Sequence, residues 1–503
     1  MKKRNGFKLL VTMMCMFLVI TACSSSKTAT PSPSAAAKTD APKTAELKPV
    51  ELIWYLAEPA VPADLKSVEE EANKIIKAKI NATVKLIPVG FGDYTQKMNT
   101  VVASGEKVDI MWTASWNFNY VQNQSKGAFL ALDDLITKYA PDVKKSMPQF
   151  VWDATKIEGK IYAVPNYQTV TNREGFVIQK RYIDKYNLDV AKLKKLEDLE
   201  PFLAQVKAGE KAEFVIPLHR GGIWGNMPRI NNQEPIVINI ASINLSNPDK
   251  VLNVYETPEY RKYLDTINSW FMKGYINQDA ATLKSTNDIF KAGKGMFGFH
   301  NALKPGGEAE AKVQHGGNDV VYVPITEAYA GTNTIITTMQ AINAKSANPE
   351  RAMMLINLVN TDKALYNLLA FGIEGKHYSK NADGTIKIIK DGGYAMADWT
   401  LGNVFNGYTI EGKAPTVAED TRKLNESAKA SPIIGFKFQA GAVTAEIANV
   451  NSLIDEYGPG LHTGTIAAKD KLAEFQEKLK KAGIDKIVAE TQKQLDEWKK
   501  TKK

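Results

Sequence analysis

From residue 50 onward the apolar positions alternate between two rhythms. Val50 to Leu56 is a short β-prone run, and Ala57-Glu58-Pro59 ends it because proline cannot donate to a strand ladder. Ala72, Ile75, Ile76 and Ile80 then recur at helical spacing, and Ser67 with Glu70 three positions later predicts a capping box opening that helix. Thr83 to Pro88 reads as the next strand, a helix is expected from about Tyr94 to Ser104, and Val108 to Trp112 reads as a third strand. Strands alternating with helices predict crossover units and an α/β fold with a parallel sheet. In open sheets of this kind ligands settle beyond the carboxyl ends of the strands, which here means near Glu58 and near residues 113–116.

Further along, Asn348-Pro349 predicts a helix start, with proline at the first helical position and Ala352, Leu355, Ile356 and Val359 on the buried face. At the far end Leu472, Phe475 and Leu479, a stop at Gly483, then Ile484, Ile487, Thr491, Leu495 and Trp498 predict two packed helices. These residues read as core.

The amino-terminal pattern is different. Met1-Lys2-Lys3-Arg4 precedes an apolar run from Leu9 to Ile20, followed by Thr21-Ala22-Cys23 and three serines. The run is too short to span a bilayer of roughly 30 Å as a helix. This order resembles a bacterial lipoprotein signal with its lipobox, which implies a cleaved segment 1–22 and lipid on Cys23. Residues 24–48 are rich in Ser, Thr, Ala, Lys and Pro and lack large apolar side chains before Leu47, so they read as a flexible tether.

Removing 22 residues from 503 leaves 481, more than one compact core usually covers, so two lobes are expected. The removed segment holds four basic residues and no acidic one, so the formal charge falls from +9 to +5. The lysines are spread among acidic residues without a basic block, and nucleic acid is not an expected partner. Cys15 and Cys23 are the only cysteines, which excludes disulfides and thiolate chemistry from the folded body.

Catalytic signatures are missing from the sequence. No HExxH, GxSxG or Walker loop stands in a credible context, and His219, His300, His315, His377 and His462 lack metal-ligand spacing. Gly293, Gly295 and Gly298 spell GxGxxG but lead into a strand instead of opening a helix. No catalytic residue, metal or cofactor is expected.

Five segments carry a specific likeness: Tyr94 to Trp112, Gly127 to Ile136, Gly159 to Pro165, Gly293 to His300, and Ala341 to Leu358. Their order and spacing resemble the extracellular solute-binding proteins of ABC importers, most of all the family that captures oligosaccharides and multiple sugars. The stretch Phe371 to Tyr378 and the ending Lys481 to Trp498 resemble its LplA-type lipoprotein subgroup. The resemblance implies a type II, periplasmic-binding-protein-like fold of two α/β lobes joined by a hinge, with the ligand cleft between them. On that basis residues 49–167 and 328–385 are expected to form the first lobe, 168–327 and 386–460 the second, and 461–503 the terminal helices. The hinge is expected at Asn166 to Thr171 and again near Pro324 to Gly331. The implied partners are a small sugar ligand and the permease subunits of an ABC transporter, with the protein a monomer; lipid on Cys23 suits the outer face of a Gram-positive cytoplasmic membrane, and an outer-membrane or periplasm-facing lipoprotein stays open. Oligopeptide capture or a surface-sensor role on the same fold stay open.

Sugar recognition needs flat aromatic platforms and convergent polar side chains. From the first lobe the candidates are Glu58, Thr113, Ser115 and Trp116, with Asn166 and Tyr167 at the hinge. From the second lobe they are Trp224 in a glycine-rich loop, and His300 and Asn301 after the Gly293 to His300 segment. Trp399 and Asn403 in a glycine-bordered loop complete the set. Trp54, Trp152, Trp270 and Trp498 read as packing, and Glu374 as part of a turn.

Overall fold

The computed structural model describes residues 47–502. The expected leader, Cys23 and most of the expected tether lie outside the described residues. The strands are β1 (Val50–Glu58), β2 (Ala82–Gly90), β3 (Ile110–Thr113), β4 (Ala163–Pro165) and β5 (Gly175–Gln179). They continue with β6 (Gln233–Val237), β7 (Ala241–Asn244), β8 (Asn247–Asn253), β9 (Phe297–His300) and β10 (Val320–Pro324). The last are β11 (Tyr329–Ala330), β12 (Met339–Ile342), β13 (Tyr378–Lys380), β14 (Ile386–Ile388) and β15 (Lys429–Ala430).

The first lobe is built on a sheet of order β2-β1-β3-β12-β4. β1 runs parallel to both β2 and β3, while β12 enters antiparallel between β3 and β4. The crossover helix Leu65–Ile80 buries Val68, Ala72, Ile76 and Ile80, the apolar stripe that its spacing dictates. Its start differs from the capping-box expectation. The helix begins two residues ahead of Ser67, whose hydroxyl donates to the Asp64 carboxylate at 2.6 Å instead of capping a backbone amide.

The second lobe carries an antiparallel sheet β10-β5-β9 and a meander β6-β7-β8. Its core gathers Phe176, Ile178, Tyr255 and Trp270 with Ile433, Phe436, Val450, Leu472, Phe475 and Leu495. The helices Thr444–His462, Ala468–Lys481 and Ile484–Lys500 therefore belong to this core.

The chain crosses between the lobes in three places. Asn172 and Tyr329 exchange backbone hydrogen bonds of 2.8 and 2.9 Å, and β11 pairs in parallel with β15. Buried carboxylates brace the crossings: Glu234 accepts from the Tyr329 and Ser431 hydroxyls at 2.5 and 2.6 Å. Glu174 accepts from the Arg229 and Ile230 amides. Residues 386–428 correct the expected division. Ile386, Leu401 and Phe405 pack with Leu52, Trp54 and Leu369 in the first lobe's core, and the passage into the second lobe comes only after β15. The reason is the turn at 397–400, which hydrogen bonds hold against the first sheet.

Candidate functional site

A groove of about 390 Å³ opens between the lobes. Gln168 and Thr169, shortly after β4, line it at the crossing. Lys304 and Glu310 line it from the second lobe, and Asp398, Trp399, Tyr408 and Lys413 from the segment packed on the first. A larger depression of about 820 Å³ lies along the helix Phe91–Ser104, but that single helix supplies all its lining and no converging charged groups.

Trp399, the tryptophan that lines the groove, belongs to an aromatic cluster assembled from distant segments. Trp399 stacks on Phe91 with ring centroids 5.6 Å apart and planes 4° from parallel. Trp116 meets Phe91 at 5.7 Å, Trp112 at 5.6 Å and Trp399 at 6.4 Å. Trp116 is nonetheless 53% exposed, and its indole N–H donates to the Thr337 carbonyl at 2.9 Å. It is a held, outward-facing ring and not a loose one. Trp112 is fully buried behind it, donating to the Thr338 hydroxyl.

The turn carrying Asp398 and Trp399 is clamped from three strands or strand ends. At the end of β1 the Glu58 carboxylate accepts from the Ala397 amide at 2.7 Å and from the Thr400 hydroxyl. Asn166, directly after β4, donates to the Trp399 carbonyl at 3.0 Å, and Thr338 donates to the same oxygen at 3.1 Å. Gln340 on β12 donates to the Thr400 carbonyl. Locked backbone of this kind presents a rigid platform, so a ligand meets it without a large ordering cost. Burial lifts the Glu58 carboxyl to about 7, even though the Thr400 and Ala397 donors favour its charged form.

The charged groups converge as well. Lys304 pairs with Glu310 at 3.0 Å and Lys413 reaches the same carboxylate at 3.4 Å, so an ion pair spans the groove. Burial works to raise the Glu310 carboxyl, but the two lysines outweigh it and hold it below its ordinary value. Asp398 behaves oppositely: burial raises it despite the favourable fields of Lys413 and Lys304. Among the described residues no cluster of three or more His, Cys, Asp or Glu is placed to hold a metal ion.

Several sequence candidates take other places. Thr113 is buried and spends its hydroxyl on the Phe118 carbonyl. Trp224 lies inside the second lobe's core against Tyr260 and Tyr263, so its expected ligand contact is corrected: its loop packs onto that core, with Gly222 so close to the His462 carbonyl that a Cβ would clash. Tyr167 is buried against Phe405, and Asn403 accepts from the Phe405 amide to cap a short turn. Glu58 and Asn166 stand behind the platform as its supports, and Ser115 is half-buried beside Trp116, its amide bound to the Ile336 carbonyl. His300 and Asn301 are exposed, with His300 Nδ1 accepting from the Ala302 amide. Lys304, Glu310, Asp398 and Lys413 were not singled out from the sequence. Asp398 alone carried a signal, its place beside Trp399.

Residues 34–372 match the family model of the bacterial extracellular solute-binding proteins, and residues 432–500 match a domain of unknown function. A carbohydrate ABC transporter substrate-binding protein of Streptococcus pneumoniae is 30% identical over 464 residues, covering 91% of this chain and 92% of its own. The crystal structure of the N-glycan transport solute-binding protein NgtS from the same species is 29% identical. It covers 91% of this chain and 100% of its own, with a TM-score of 0.78. NgtS in complex with Man5GlcNAc, at the same identity and coverage, gives a TM-score of 0.63. Such proteins bind cargo for transport and are not enzymes, and the chain belongs to this family of bacterial extracellular solute-binding proteins.

Proposed function

We propose that the protein captures an oligosaccharide in the interlobe groove and delivers it to the permease of an ABC importer. The observation that carries this reading is the Trp116–Phe91–Trp399 wall beside a groove rich in hydrogen-bonding side chains. Aromatic faces suit the C–H face of a sugar ring and the polar groups suit its hydroxyl rim. The NgtS complex supports the same class of ligand.

Ligand binds the first-lobe platform, and rotation about the three crossings brings Lys304 and Glu310 onto it. Contacts bridged only by ligand then favour the closed form. The chain superposes better on the first NgtS structure, at 0.78, than on the Man5GlcNAc complex, at 0.63, which supports reading the described arrangement as different from the glycan-bound one. Among the described residues no helix is long and apolar enough to cross a membrane, and in this reading lipid on Cys23 holds the protein at the outer face.

A thermal-shift screen over neutral oligosaccharides, uronates and peptides tests the reading. Ligand at 100 times its dissociation constant adds about 2.7 kcal/mol of stability. A clear rise with an oligosaccharide is expected, while a response to peptides alone overturns sugar capture. Labelling of the full-length chain with palmitate, abolished by Cys23→Ala, tests the anchor.

A further inference from the structure

Asp398 stands apart from the other charged groups in the groove. Lys304 and Lys413 both pair with Glu310, whereas among the described residues no side chain donates to the Asp398 carboxylate. Its neighbour Trp399 forms the aromatic wall, and the clamp from Glu58 at the end of β1 fixes the turn that carries both. An acceptor that no side chain occupies, beside a stacking ring, has the geometry to meet the hydroxyls of a sugar lying on that ring. The four charged side chains lining the groove are two lysines and two carboxylates, so their formal charges cancel.

Resting on the sugar-capture reading, we propose that Asp398 is the specificity-determining residue of the groove, accepting hydrogen bonds from hydroxyls of an uncharged glycan and excluding uronates. A uronate would bring a third carboxylate into a balanced site, next to one that no side chain hydrogen-bonds. Discrimination by such a repulsive element operates alongside the attractive contacts. Removing the charge, with little change of shape, leaves the lysines in excess and reverses the preference.

The test uses the soluble chain from residue 24 and titration calorimetry with two probes. One is the neutral oligosaccharide giving the largest thermal shift in a panel that includes Man5GlcNAc, and the other is trigalacturonate. Asp398→Asn is expected to weaken the neutral glycan by about tenfold or more, the loss of a charge-assisted hydrogen bond, and to bind trigalacturonate more tightly than wild type. Asp398→Ser serves as the second variant should the first not fold, with the same expectation for the neutral glycan. Neutral-glycan affinity unchanged in the variant, or wild type preferring trigalacturonate, overturns the role of Asp398 and leaves sugar capture standing. Wild type binding no carbohydrate in the panel overturns both.

Discussion

The Thr400 hydroxyl donates to the Glu58 carboxylate across 342 residues of sequence, and the Ala397 amide donates to its other oxygen. A carboxylate at the end of the first strand thus holds both ends of the turn that displays Trp399. Its burial has a thermodynamic consequence that pH exposes.

Burial lifts the Glu58 carboxyl from its ordinary 4.5 to about 7, so the folded state binds this proton more tightly than the unfolded state. The stability from that proton is fully present below about pH 4.5 and is lost as pH rises through 7. Glu58→Gln removes the titration. The melting temperature of wild type relative to E58Q is expected to decline between pH 5 and 8, by the equivalent of about 3 kcal/mol at most. Calorimetric melts of both proteins across that range check it, and parallel curves refute it.

Trp116 and Trp399 should affect binding far more than folding. Trp116→Ala removes an exposed ring and is expected to lower oligosaccharide affinity about tenfold with little change in melting temperature. Trp399→Ala removes the stacked partner of Phe91 and should cost about tenfold to a hundredfold. Titration calorimetry reads both, and quenching or shift of tryptophan fluorescence on adding sugar should vanish in the double variant.

Trp224 gives the opposite signature. It sits in the second lobe's core against Tyr260 and Tyr263, so Trp224→Ala is expected to destabilise the protein by about 3–5 kcal/mol. Denaturant unfolding measures this. A variant of wild-type stability that fails to bind sugar would return Trp224 to the ligand site.

Glu234 ties a crossing strand to the segment after β15 through the Tyr329 and Ser431 hydroxyls. Both hydroxyls donate to the same Glu234 oxygen, and an uncharged amide oxygen accepts more weakly than a carboxylate, so Glu234→Gln should lower stability by about 1–3 kcal/mol. Urea unfolding provides the measurement.

Much of the first lobe was legible because its signals are local. The alternation of β-prone runs with the Ala72-Ile76-Ile80 stripe is enough to give β1, the crossover helix and β2, and the likeness of ordered segments gives the two-lobed class. The capping box misled because Ser67 found a nearer partner in Asp64, a competition between side chains that no spacing rule decides. The lobe assignment of residues 386–428 failed for a longer-range reason: their place is set by Asn166, Thr338, Gln340 and Glu58, all far away in sequence. Trp116 and Trp399 were each conspicuous as loop aromatics, but their meeting through Phe91 is a property of the folded chain. Trp224 looked equivalent to them in sequence, and only the proximity of Tyr260 and Tyr263 separates a core ring from a displayed one.

The matched segment 432–500 contributes Ile433, Phe436, Val450, Leu472, Phe475 and Leu495 to the same interior as Phe176 and Trp270. It is therefore half of a shared wall and not an appended module. A chain that stopped near residue 431 would leave that interior facing water on one side, so residues 432–500 must be made before the second lobe can take shape.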